Sequence, residues 1–217
     1  MTTLIKHQTD VKTMNQYQKN QAGNHPKKGS KIVVEPIRNL EDIEAIKQLL
    51  ESKPRDFLLF VMGINNGLRV GDLLQLKAGP FRNVKVGDTV PVREQKTGKP
   101  QEVVINKPIQ TAFQKYFAQL HPGDDDYLFQ SRKGKNKPIT VSNANMLVKK
   151  WTKAINLDGN YGTHSLRKTF GYILRRKYGV GWEILSKRYN HSSPSVTRAY
   201  LGIQDDEVNK ILVQCQI

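Results

Sequence analysis

The chain has 217 residues, 37% of them hydrophobic, and sets 35 Lys and Arg against 19 Asp and Glu for a formal net charge of +16. This length and composition suit one well-buried domain with a tail and exclude an intrinsically disordered chain. The cationic excess repels itself in a compact fold, so it points to an acidic partner, nucleic acid before anionic membrane.

Residues 1–36 are polar, rich in Gln, Asn and Lys, with PKKGS at 26–30, and read as a flexible basic arm. The folded domain is expected over 37–217. It opens at NLEDIEAIKQLLES, where Asn39 can cap, Glu41 and Asp42 fall in the first turn, and Leu40, Ile43, Ile46, Leu49 and Leu50 recur at helical spacing. Pro54 begins a second, strongly apolar helix that the Asn65-Asn66-Gly67 stop signal ends. GLRVGDLLQLK follows, with a short helix from near Val70. Between 83 and 106 the period changes, and TVPVREQ and QEVVIN flank KTGKP as a hairpin with Gly98 in its turn. PIQTAFQKYFAQL and VSNANMLVKKWTKAI are helical, separated by DDDYLFQSRKGKNKPIT, which reads as a loop or a second small hairpin. The last third is a run of short helices: THSLRKTFGYILRRKYG, WEILSKRYN, SVTRAYL and DDEVNKILVQCQ. The expected class is mostly α with a small antiparallel β-sheet.

Several chemistries are excluded by what the chain lacks. The run FLLFVMGI at 57–64 is far shorter than the roughly 20 residues a membrane-spanning helix needs. Cys215 is the single cysteine, which rules out an intrachain disulfide and a cysteine-based zinc site and points to a reducing cytoplasm. There is no GxxxxGK[ST], HExxH or EF-hand loop, so the expected reaction uses no cofactor, neither nucleotide nor tightly bound metal.

One set of polar residues stands where a purely structural sequence has no need of it. Arg69 lies at a helix start, where a guanidinium can pair with Asp72 or join backbone N–H groups in attracting phosphate. His164 and Arg167 share a helical face at i and i+3 in HSLR. Two arginines meeting on one phosphate would neutralise the charge of a pentavalent transition state, and a neighbouring imidazole can move a proton near neutral pH. Lys96, in the KTGK hairpin, is either an ordinary turn lysine or an acid for a leaving alkoxide, with Lys99 as the competing candidate. NHSSPSVTRAYLGI at 190–203 adds His191 and, nine residues on, Tyr200.

The order Arg69, Lys96, His164-Ser165-Leu166-Arg167, His191, Tyr200 resembles the catalytic domain of the tyrosine recombinase (phage integrase) family. GLRVGDLLQLK is similar to the first box of that family, and THSLRKTF with NHSSPSVTRAYLGI to the second, so the likeness covers roughly 37–217. It implies a metal- and ATP-independent, site-specific recombinase of double-stranded DNA. Tyr200 would attack the scissile phosphate, Arg69 and Arg167 would clamp its non-bridging oxygens, and Lys96 would protonate the leaving 5′-oxygen. His164 would assist proton transfer, His191 would hydrogen-bond the phosphate, and Asp72 would support the site. The resemblance also implies a cytoplasmic protein of a mobile element or plasmid, a homo-oligomer of up to four protomers on DNA, and room for an accessory DNA-binding protein. A DNA-binding regulator and a type IB topoisomerase-like relaxer are the competing readings. Two positions depart from the pattern: Asn190 stands where the family has Gly, and Lys168 where it often has His. Only the arm precedes the catalytic domain, where full recombinases carry a helical domain that closes around the duplex; weak, strongly salt-dependent binding follows as an expectation.

Overall fold

The computed structural model describes residues 33–203 and, beyond them, Val213. Most of the expected arm and the helix expected after Tyr200 lie outside the described residues. The described elements run in order as α1 (Leu40–Leu50), α2 (Pro54–Asn66), α3 (Val70–Leu74), a 3-10 turn at Gly79–Phe81, β1 (Thr89–Arg93), β2 (Pro100–Val104), α4 (Lys107–Leu120), α5 (Val141–Ala154), α6 (Thr163–Tyr178), α7 (Trp182–Tyr189) and α8 (Pro194–Leu201). The class is the expected one, helical with one small antiparallel sheet.

Helix α2 is the axis of the domain. Pro54 occupies its first turn, where a missing N–H costs nothing, and Gly67 closes it in the left-handed region at φ 61°. Leu58, Leu59, Phe60, Val61 and Met62 are all fully buried, so α2 is enclosed on every side, as a helix apolar all round must be. Each such side chain contributes about 1.5–3 kcal/mol on leaving water. Helices α4 and α6 pack on α2, with α1 and α5 completing the shell; Phe60 meets Trp151 edge-on at 6.0 Å. Asn106 and Thr140 cap α4 and α5 by accepting from the N–H of Ile109 and Asn143. Asn39 takes the N-cap position of α1 without capping it, because its amide donates to Asp42 instead.

β1 and β2 form a two-stranded antiparallel sheet in register from Thr89↔Val104 to Arg93↔Pro100, turning through Gly98 at φ 68°. The loop between α4 and α5 forms only isolated bridges, Lys77 with Tyr127 and Gln130 with Pro138. Before α1, the Glu35 N–H donates to the Asn160 carbonyl and the Ile37 N–H to the Thr169 hydroxyl.

A second, smaller apolar cluster joins α6, α7 and α8 through Leu185, Tyr189, Leu201 and Ile203, with Phe170, Trp182 and Tyr200 against it. Its tightest contact is at Gly171, where an added Cβ would lie 2.2 Å from the Tyr189 hydroxyl. That hydroxyl cannot easily withdraw, since it donates to the Arg167 carbonyl at 2.7 Å. Gly171→Ala should therefore destabilise the protein by about 1–3 kcal/mol, read as a thermal midpoint several degrees lower. Combined with Tyr189→Phe, which removes the obstructing oxygen, the loss should be smaller than the sum of the two single changes; strict additivity would mean that the hydroxyl is not the obstacle.

Candidate active site

Five segments of chain converge at the C-terminal end of α2: the start of α3, the hairpin turn, the first turns of α6, the turn after α7, and α8. Arg69 is the N-cap residue of α3, held in extended backbone by the left-handed turn at Gly67 before it. Its Nη1 lies 2.5 Å from Glu94 Oε1, so its charge partner is Glu94 and not Asp72. Asp72 is buried and accepts from the Gln95 N–H at 2.9 Å through Oδ1, while its Oδ2 has no hydrogen-bond partner. Asp72 thus pins the shoulder of the hairpin, one residue before Lys96, onto α3.

Arg167, in the first turns of α6, is almost wholly buried at 3% exposure. Its Nη1 donates to the Gly67 carbonyl at 2.5 Å, its Nη2 to the Tyr189 carbonyl at 2.8 Å, and the guanidinium lies over the Tyr189 ring at 4.6 Å. His164, one turn earlier, is exposed at the mouth of the site. Partial desolvation and then the charges of Arg167, Arg69, Lys168 and Lys96 hold its pKa below the ordinary imidazole value.

Asn190 ends α7 in the left-handed region at φ 54°, a conformation Asn adopts more readily than most residues, so the turn forms without glycine. This turn delivers His191, whose ring stacks on Tyr189 at 5.1 Å and whose Nδ1 lies 3.0 Å from the Thr197 hydroxyl. Burial, followed by the charges of Arg167 and Arg69, lowers its pKa to about 4. The Ser193 hydroxyl caps α8 at the Val196 N–H, and one face of that helix turns Tyr200 inward. The Tyr200 ring meets His191 at 5.3 Å and Tyr189 at 5.6 Å, both edge-on. Its hydroxyl is buried without an aligned hydrogen-bond partner among the described residues. Desolvation raises the phenol pKa, and the charges of Arg167 and Arg69 beside it pull the other way without cancelling that rise.

The structure therefore brings Arg69, His164, Arg167, His191 and Tyr200 into one electrostatic cluster. Lys96 sits exposed in the hairpin turn, near enough for its charge to act on His164; Lys99, also exposed, immediately precedes the return strand. Residues not singled out from the sequence complete the surroundings. Glu94 is 1% exposed and pairs with Arg69. Lys168 is buried, with its Nζ over the Tyr200 ring at 5.3 Å. Arg188 donates to the Asn66 carbonyl and to Gln101 and Glu102 on β2. A position just before NHSS could have flagged Tyr189, but no sequence signal marks Glu94 or Lys168 as buried. Among the described residues no three His, Cys, Asp or Glu side chains converge as a metal site. A cavity of about 750 Å³, lined by residues such as Arg55, Tyr116, Leu128 and Trp151, includes none of the cluster.

Chemically, the cluster is a cationic pocket with an isolated phenol at its centre. It offers two guanidiniums, two neutral imidazoles and a mobile ammonium to an anion that can approach Tyr200.

Comparison with known proteins agrees with that description. The model of the phage integrase family matches residues 25–207. A probable integrase/recombinase of Bacillus subtilis, YoeC, is 37% identical over 175 residues, spanning 80% of this chain and 92% of the relative. The tyrosine recombinase XerC of Caldanaerobacter subterraneus is 30% identical, over 77% of this chain but only 48% of its own length. Among solved structures, XerA recombinase aligns with a TM-score of 0.67 at 21% identity, over 85% of this chain and 66% of that one. XerH bound to a palindromic difH substrate, in a post-cleavage complex, gives 0.67 at 20% identity, over 84% and 53%. The chain thus spans nearly all of the Bacillus relative and about half of XerC. The extent of the family match and the likeness to YoeC decide the question: this chain belongs to the phage integrase family of tyrosine recombinases.

Proposed function

We propose that the protein is a site-specific DNA recombinase that cuts and rejoins strands through a 3′-phosphotyrosyl intermediate on Tyr200, in the service of a mobile element or plasmid. The observation that carries this reading is the Tyr200 hydroxyl, buried without an aligned hydrogen-bond partner among the described residues and lying against Arg167, with the charge of Arg69 close by. The buried Tyr189 and Tyr116 hydroxyls each donate to a backbone carbonyl, whereas that of Tyr200 faces guanidiniums, an environment that suits an anion.

In the forward step the Tyr200 oxygen attacks phosphorus, forming a P–O bond as the P–O5′ bond breaks. The phenolic proton leaves towards His164, and Lys96 gives a proton to the departing 5′-oxygen. Arg69 and Arg167 oppose the charge growing on the non-bridging oxygens, and His191 donates to one of them. The reverse step, with the 5′-hydroxyl of another strand as nucleophile, releases Tyr200 and joins the strands. Phosphodiester bond energy is conserved in the tyrosyl ester, so no nucleotide is consumed. Exchange requires two duplexes, and we assign it to a homo-oligomer of up to four protomers on double-stranded DNA, with an accessory DNA-binding protein where one is needed.

Three outcomes test this. Supercoiled plasmid carrying the DNA that flanks the gene, incubated with the protein in EDTA and then denatured, should retain covalently bound protein, and Tyr200→Phe should abolish the adduct while binding DNA within about twofold of the parent. An adduct that survives the substitution would move the nucleophile elsewhere. Plasmid relaxation without exchange between two sites would instead favour the topoisomerase-like reading, and binding without either would favour a regulator.

Once the break is mapped, Lys96→Ala should slow cleavage by about 10²–10⁴-fold on ordinary DNA and far less on DNA with sulfur in the bridging 5′ position, whose thiolate leaves unprotonated. If Lys99→Ala shows that pattern instead, Lys99 is the acid.

The third test is linkage to protons. Both imidazoles are neutral at neutral pH because burial, and then the surrounding cationic charge, lowers their pKa values, to about 4 for His191. A bound phosphate raises their pKa values, so binding takes up protons. Duplex affinity at constant ionic strength should therefore increase as pH falls from neutral towards the free-state value, and level off below it. His191→Gln should flatten that dependence; an unchanged slope would place the proton uptake on another group.

A further inference from the structure

The turn sequence REQKTGK hides its acidic residue. Glu94 directly follows β1, between the exposed Arg93 and Gln95, yet it is 1% exposed and its carboxylate meets Arg69 in the cationic pocket. Its Oε1 meets Arg69 Nη1 at 2.5 Å, as a charge contact off the hydrogen-bond axis. Its Oε2 accepts from the Thr97 hydroxyl at 2.5 Å, on the turn that carries Lys96. The Asn190 amide, at the bend that presents His191, lies against the same carboxylate. The main chain adds to this: the Glu94 N–H donates to the Lys99 carbonyl, and the Glu94 carbonyl accepts from the Gly98 N–H.

We propose that Glu94 is a positioning residue for strand cleavage: one buried carboxylate that registers the Arg69 guanidinium, the Lys96 turn and the His191 bend against one another. This deepens the phosphotyrosyl reading above and rests on it. Two physical points support the assignment. A carboxylate buried this deeply is costly unless charge and hydrogen bonds meet it, and here the Arg69 charge and the Thr97 hydroxyl do so, with the Asn190 amide close beside them. Burial alone would raise its pKa, yet Thr97, Asn190 and Arg69 together hold it below the ordinary carboxylate value, so it is ionised when DNA arrives. The carboxylate also competes with phosphate for Arg69. It fixes the direction of that guanidinium while leaving its remaining N–H groups for a second anion, and the net charge of the pocket stays cationic through Arg167, Lys168 and Lys96.

The test is a double-substitution cycle in the full chain, read in two ways: the rate of covalent adduct formation on supercoiled plasmid, and the affinity for a labelled duplex at fixed salt. Glu94→Gln keeps the shape and the Thr97 bond but removes the charge that aims Arg69. It should slow adduct formation roughly tenfold to a hundredfold while changing duplex affinity by no more than about twofold. Arg69→Ala leaves the Glu94 charge bare beside the phosphate and should weaken binding. Adding Glu94→Gln to it should recover part of that affinity, a coupling that general loosening of the fold would not produce. Thr97→Val, at an exposed turn, removes only the hydroxyl donor and should slow adduct formation a few-fold without lowering the thermal midpoint.

Parental adduct rates in both Glu94→Gln and Thr97→Val, or affinity losses that simply multiply in the double variant, would overturn the proposal. If Glu94→Gln does not fold, Thr97→Val and its combination with Arg69→Ala carry the same comparison. If the parent protein forms no adduct at all, the phosphotyrosyl reading fails by itself, and the affinity cycle still decides whether Glu94 and Arg69 act as a unit.

Discussion

The C-terminal end of α2 is where the domain commits itself. A helix leaves its last carbonyls unpaired and carries a partial negative charge there. In this protein two guanidiniums answer that charge. Arg167 comes from α6 and takes the Gly67 carbonyl; Arg188 comes from the end of α7 and takes the Asn66 carbonyl through both Nε and Nη2. Arg167 also caps the end of α7 at the Tyr189 carbonyl, so one side chain binds two helix C-termini at once. Neither arginine has a carboxylate within ion-pair distance among the described residues. Carbonyl dipoles orient these cations without neutralising them. The same bonds that join the larger core to the smaller one therefore leave uncompensated positive charge at the seam, where the site lies.

That arrangement explains the titration behaviour of everything nearby. Desolvation and like charge together keep both imidazoles neutral, since a proton on either would add to an already cationic pocket. On the tyrosine the two influences oppose one another. Burial favours the neutral phenol, the guanidiniums favour the phenolate, and burial prevails. Tyr200 thus stays protonated at neutral pH and is not a free-standing reactive anion. An arriving phosphate changes the balance by supplying the missing countercharge to the arginines and an acceptor to the histidines.

How far the sequence carried the reading depends on what kind of fact was sought. The limits of the central helix were legible because local signals set them, Pro54 at its start and Gly67 as its left-handed stop, whereas Asn39 holds the cap position of α1 without capping it. The set Arg69, His164, Arg167, His191 and Tyr200 could be singled out because its order resembles a known family, and the structure brings those five together. The partner of Arg69 was not. Asp72 lies three residues away and invites an i,i+3 pair, but Arg69 precedes the helix rather than belonging to it, so its side chain points to the hairpin. Glu94 sits in a stretch with four other charged or amide residues, and nothing in REQKTGK distinguishes a buried acid from a solvated one. Such pairings are tertiary facts, made between segments dozens of residues apart.

The hairpin shows why those tertiary facts matter for chemistry. A two-stranded sheet is marginal by itself, and Lys96 and Lys99 stand on its exposed tip. Besides the Glu94–Arg69 contact, three attachments hold it: Asp72 at the Gln95 N–H, Asn66 at the Val104 N–H, and Arg188 at Gln101 and the Glu102 carbonyl. All three secure the strands and the shoulder of the turn, and none reaches Lys96 itself. The fold therefore fixes the base of the hairpin against the end of α2 and leaves the lysine able to swing. A general acid must approach a leaving oxygen that moves as the bond breaks, whereas the groups that hold the phosphate must not move at all. Under the proposed reaction, Arg167, rigidly bonded and buried, and Lys96, exposed on an anchored turn, would occupy the two ends of that requirement.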